Sequence, residues 1–125
     1  MSTLKVNTIQ DASGGSSSTP AQIEQGRAKA WVNMNGTGTI AVRDSYNVSS
    51  MTDLGTGFYR LSFTTSMANT NYCIQLAEGS DGSADGTSHL REPPETGSFD
   101  FETGKRHGAT SKDREWVFAT VFGDV

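Results

Sequence analysis

At 125 residues the chain is long enough for one domain, and 34% hydrophobic content makes its core lean. A formal charge of −4 argues against nonspecific binding to DNA or RNA. The single cysteine, Cys73, excludes an internal disulfide framework and a cysteine-based zinc cluster, and no run nears the ~18 apolar residues that span a bilayer.

In residues 2–11, apolar Leu4, Val6 and Ile9 alternate with polar neighbours. The pattern is strand-like but too short to hold itself. The stretch lacks the apolar core of a secretory signal, so the expectation is a chain made in the cytoplasm. Residues 12–18, ASGGSSS, read as a flexible Gly/Ser link. Residues 1–18 are thus expected to form an arm, ordered only against another surface.

Thr19-Pro20-Ala21-Gln22 is a helix start. Thr19 suits the N-cap, Pro20 the first helical position, and Gln22 the far side of a capping box. The expected helix runs roughly from Pro20 to Lys29, within a segment spanning 19–30. Gly26 weakens it by about 1 kcal/mol, and so short a helix must pack on something.

From Ala28 the period changes to two. Ala28, Ala30, Val32 and Met34 share one face, and Asn35-Gly36 offers a hairpin turn. The run from Ile40 through Tyr46 to Val48 returns, and Leu54-Gly55-Thr56-Gly57 makes a second turn. Tyr59, Leu61 and Phe63 then alternate with polar residues, as do Tyr72, Ile74 and Leu76, and Phe99 and Phe101. The last run, Glu115 to Gly123, is apolar on both faces: Trp116, Phe118 and Phe122 against Val117, Ala119 and Val121. Such a strand is central, or lies between a core and a subunit contact. The expected fold is mainly β, an antiparallel β-sandwich of about six strands over 31–125. Residues 78–97 show no period and read as a loop.

Charge is segregated. Seven of the fourteen acids fall in 78–102, opposed there only by Arg91. Lys105, Arg106, Lys112 and Arg114 crowd into 105–114 around His107. One reading is two solvated loops that stay soluble or pair with each other. The other is a ligand patch of Lys105, Arg106, His107, Lys112, Arg114, Asp81 and Asp85, with an anionic glycan at the basic end. Asp81, Ser83, Asp85, Gly86 and Glu92 also follow the spacing of an EF-hand calcium loop. Its context is wrong, because a strand precedes it and Pro93-Pro94 forbids an exiting helix.

His89 and His107 have no partner at metal-ligand spacing and read as surface loop residues. Cys73 reads as a small buried hydrophobe. Trp31, Tyr46, Phe58 and Tyr72 are aromatics that could reach a surface. No nucleophile elbow, phosphate loop or dinucleotide fingerprint is present. Glu24, Asp44 and Asp53 could be imagined as a catalytic pair, but acids are too common for that to carry weight. The expectation is a non-enzyme with no cofactor and no metal.

Four blocks together resemble tail-fibre and related virion proteins of marine and cyanobacterial phages. They are Ser2 to Gly14 (STLKVNTIQDASG), Ala28 to Val42 (AKAWVNMNGTGTIAV), Gly57 to Phe63 followed by Met67 to Tyr72, and Val117 to Asp124. The third is similar to a Gly-x-Tyr-x-x-x-Phe … Met-Pro … Asn-Tyr pattern, with Ala68 standing where the pattern has proline. The likeness covers most of the chain outside 78–114.

The resemblance implies a lectin-like β-sandwich head domain, a homotrimer, and a place in the virion. It implies binding of host surface polysaccharide, or a purely structural part such as a capsid decoration or a neck or tail adaptor. Other virion proteins would dock through the N-terminal arm, with no nucleic acid bound and no membrane inserted. It names no ligand residues. A trimer would also bury Leu4, Val6, Ile9 and Ile23 against neighbouring copies.

Overall fold

The computed structural model describes residues 1–79, 86–105 (the side chain of Lys105 aside) and 110–125. Two short strands, β1 (Ile9–Gln10) and β2 (Ser17–Ser18), pair antiparallel ahead of α1 (Pro20–Gly26). Then follow β3 (Ala30–Asn35), β4 (Ala41–Tyr46), β5 (Val48–Gly55), β6 (Phe58–Phe63), β7 (Cys73–Gly79), β8 (Thr87–Leu90), β9 (Ser98–Lys105) and β10 (Trp116–Phe122).

These last eight strands form two four-stranded antiparallel sheets, ordered β4-β3-β10-β7 and β5-β6-β9-β8. They pack as a β-sandwich. Ala30, Val32, Met34, Val117, Ala119 and Val121 face inward from the first sheet. Tyr59, Leu61, Phe63, Phe99 and Phe101 answer from the second, with Met67 and Tyr72 closing one end. Burying one of the valine, leucine, methionine or phenylalanine side chains among them stabilises the fold by about 1.5–3 kcal/mol. The aromatics form a chain through the core. Ring centroids lie 5.7 Å apart for Tyr59 and Phe101, 5.8 Å for Phe101 and Phe99, and 5.9 Å for Phe99 and Phe63.

The expected faces of β3, β6, β9 and β10 are those observed. The strand count differs. The run from Ile40 to Val48 is cut at Asn47, where the chain leaves the first sheet for the second. Asn47 adopts φ +54°, a conformation its short amide tolerates. Its side chain donates to the carbonyls of Lys29 and Thr65 at 3.0 and 3.1 Å and accepts from the Thr65 amide at 2.7 Å. One asparagine thus turns the corner between layers. A second difference is β8, which lies in the stretch read as loop.

The Asn35-Gly36 turn is not a two-residue hairpin. The connection runs over 36–40, with the Asn35 carboxamide accepting from Thr37 and Gly38 at φ +62°. Gly36 is required for another reason: a Cβ there would collide with the Tyr59 hydroxyl.

The helix starts as expected and ends early. Thr19 Oγ1 accepts from the Gln22 amide at 3.2 Å, and Gln22 Oε1 from the Thr19 amide at 2.8 Å. It stops at Gly26 because the Lys29 amide donates to the Val121 carbonyl at 2.7 Å, drawing the chain into the sheet. Lys29 is buried, its Nζ held by the carbonyl and carboxylate of Glu24.

Residues 12–18 are ordered as a hairpin rather than a link. Asp11 holds it closed: Oδ1 accepts from Ser13 Oγ at 2.8 Å and the Gly15 amide at 2.9 Å, and Oδ2 from the Ser16 amide at 3.2 Å. Those bonds, Ser13's foremost, hold the Asp11 carboxyl below its ordinary range. Among the described residues no helix is long and apolar enough to cross a membrane.

Candidate functional site

The outer side of the second sheet carries an open cleft of about 580 Å³. Leu54, Gly55 and Thr56 of the β5–β6 turn form one wall, Thr110 and Ser111 another, and Phe58 and Arg91 complete it. The turn is built for close approach. Gly57 sits at φ +72°, and a Cβ there would meet the Lys112 backbone at 2.7 Å. Its amide donates to Asp113 Oδ1 at 2.7 Å, and its carbonyl accepts from the Thr103 amide at 2.8 Å. Thr103 in turn accepts from the Lys112 amide at 3.0 Å and donates its hydroxyl to the Lys112 carbonyl at 2.8 Å. Residues 110–113 are thereby strapped to the turn, and the wall is fixed.

Within the cleft the Arg91 guanidinium lies 4.2 Å from the Phe58 ring centroid, a cation–π contact. The Arg91 amide donates to the Asp100 carbonyl at 3.0 Å, which sets where its side chain begins. Beside them the buried Glu102 carboxylate lies against His89 Nε2 and accepts from Ser111 Oγ at 3.4 Å. Carboxylate therefore stands between hydroxyl and imidazole. Nucleophilic catalysis needs the imidazole between the other two, so this trio has the wrong order for a hydrolase triad. What the cleft offers is one guanidinium, one ring, an apolar leucine and three hydroxyls. That inventory suits a polar, ring-shaped ligand carrying negative charge.

A neighbouring groove is lined by Arg60, Glu92, Pro93, Pro94, Glu95 and Asp100. There Arg60 grips Asp100 through two bonds, Nε–Oδ1 at 2.6 Å and Nη2–Oδ2 at 2.8 Å.

The residues singled out in the sequence fare differently. Lys112 is exposed beside the cleft. Arg114 does not belong to the ligand patch: it is buried, and its Nε lies 3.2 Å from Glu78 Oε1. Lys105 closes β9, while Arg106, His107, Asp81, Ser83 and Asp85 lie outside the described residues. Glu92, the last position of the calcium spacing, lines the proline groove. Among the described residues no three of His, Cys, Asp and Glu gather where a metal could be held.

His89 is a strand residue paired with Glu102, not a loop residue. Cys73 is exposed, not buried. Tyr72 is core, its hydroxyl donating to the Glu95 carbonyl at 2.7 Å. Leu4, Val6, Ile9 and Ile23 are all exposed, so the arm is uncovered. Arg91 and Phe58 are the cleft residues that sequence reasoning passed over as a pair. The available signal was Arg91 standing alone among seven acids.

Compared with models of protein families, with curated proteins and with solved structures, the chain matches none.

Proposed function

We propose that this chain is a virion component of tail-fibre type, a trimeric head domain that binds a host cell-surface glycan without catalysis. The observation that carries the binding half is the cleft in which Arg91 covers Phe58. A guanidinium on a ring, walled by Thr56, Thr110 and Ser111, offers charge and hydroxyl contacts to an acidic saccharide. Lys112 adds positive charge nearby. The block resemblance supports the place in the virion.

A second reading is a purely structural virion protein, a capsid decoration or a neck or tail adaptor of the same fold. The uncovered arm favours it, since exposed Leu4, Val6 and Ile9 suit docking onto other virion proteins.

The test is binding of the purified protein to a panel of acidic and neutral bacterial envelope polysaccharides, alongside Arg91→Ala. The first reading expects binding to an acidic member, at least tenfold weaker in Arg91→Ala, and competition with phage adsorption. No binding to any member, with density for the chain on the capsid or neck of a virion map, supports the second reading and removes the first.

A further inference from the structure

The outer face of the first sheet leaves Tyr46, Trp116 and Phe118 exposed. Val117, Ala119 and Val121 point into the core, so Trp116, Phe118 and Phe122 point out. Register then assigns their neighbours. Phe118 lies beside Asn33 and Ala77, Thr120 beside Trp31 and Gln75, and Phe122 beside Cys73. Tyr46 flanks Trp31 on the edge strand. Trp116 and Phe118 stack with centroids 6.3 Å apart and planes 16° from parallel. A bulge opposite Asn33 and Met34 frees Arg43 to cross the face, its guanidinium 3.8 Å from the Trp116 ring centroid. Five aromatic side chains thus share one side of the sheet, Tyr46, Trp116 and Phe118 exposed and Trp31 and Phe122 half-buried, an arrangement that marks an interface.

The same chain carries a second uncovered apolar surface. Leu4, Val6 and Ile9 are 82%, 39% and 52% exposed and lie off their own sandwich. We infer that the N-terminal arm of a second copy of this chain docks on the aromatic outer face of the first sheet.

Size argues for the arm rather than for two faces pressed together. The face is about 14 Å across and about 23 Å long, so it covers about 300 Å². Even doubled for side-chain relief, that is about 600 Å² per partner, only the low end of the range found in stable contacts. Residues 1–8, ahead of β1, reach about 26 Å when extended, enough to run the length of the face. Exchanging arms gives each copy both a face and an arm to bury.

This inference rests on the self-assembly half of the proposed function and is independent of the glycan. Both tryptophans of the chain, Trp31 and Trp116, lie on the face, and the lone Cys73 lies at its rim. Light scattering of the full chain at micromolar concentration gives the number of copies. Deleting residues 1–10 is expected to red-shift tryptophan emission and reduce the mass to one copy, with the β-sheet circular dichroism retained. Val6→Cys with a flexible bis-maleimide is expected to give covalent multimers, lost when Cys73→Ser is added. A multimer whose mass and emission ignore the deletion, or cross-links that persist with Cys73→Ser, overturns the inference and leaves self-assembly standing. A monomeric full chain overturns both.

Discussion

Arg114 and Glu78 form an ion pair inside the sandwich, Nε to Oε1 at 3.2 Å, with side chains only 6% and 9% exposed. The pair ties three strands to the segment that leads into β10. Glu78 Oε2 also accepts from Ser88 Oγ on β8 at 2.8 Å and from the Gly104 amide on β9 at 2.7 Å. Gly86 leaves the room for it, since a Cβ there would strike both charged groups. Both oxygens of the carboxylate are therefore used, the condition under which a buried pair holds its place. Arg114→Met strands the carboxylate and is expected to cost about 3–5 kcal/mol in urea unfolding. Glu78→Leu combined with Arg114→Met is expected to cost much less than the two single changes together. Additive losses would contradict the pairing.

Alkaline stability follows from Tyr72. Burial, helped by the Glu95 charge, pushes its phenol up to about 12. A raised value means that the neutral form stabilises the fold fully below the ordinary phenol range near about pH 10 and that the benefit is lost as pH rises through about 12. Burial and Asp113 push Tyr59 up as well, its one hydroxyl proton shared between the Gly36 carbonyl at 2.9 Å and Asp113 Oδ1 at 3.0 Å. Tyr72→Phe is expected to cost about 1 kcal/mol at pH 7, the net value of one hydrogen bond. Its melting temperature is then expected to fall less steeply than that of the parent between pH 10 and pH 12. Parallel curves would refute the assignment.

Acid stability carries a smaller signature from Asp100. The Arg60 hydrogen bonds, first among the causes, hold its carboxyl below the ordinary range. A lowered value gives stability that is present above the usual carboxylate range near about pH 4 and lost as pH falls through the folded value. Arg60 is about half exposed, so solvent screening limits the gain to below about 1 kcal/mol. Asp100→Asn is expected to lower the melting temperature slightly at pH 7 and to leave it unchanged at pH 2. Sodium chloride at 1 M is expected to shrink the difference at pH 7.

The core was legible where the period of two was undisturbed. Tyr59, Leu61 and Phe63 announce one face of β6, and Val117, Ala119 and Val121 one face of β10. The double-sided character of β10 also signalled the outer aromatic face. The helix start was legible because a capping box is local chemistry. What escaped was set by distant partners. Thr87-Ser-His-Leu has no apolar alternation, and it is a strand because β9 offers its free edge. Asn47 interrupts an apolar run with no glycine or proline to mark the corner. Arg114 reads as one basic residue among four until Glu78, far along the chain, takes it inside. The cleft escaped for the same reason: Arg91 and Phe58 meet only after β8 and β6 flank β9.

The most direct measurement is the mass of the full chain by sedimentation equilibrium at micromolar concentration and moderate salt. The proposed trimer, its arms packed on neighbouring copies, predicts three copies of the 13.3 kDa chain, falling toward one when residues 1–18 are removed while the sheet signal stays. A single 13.3 kDa species across the whole concentration range, indifferent to removal of the arm, would contradict the account.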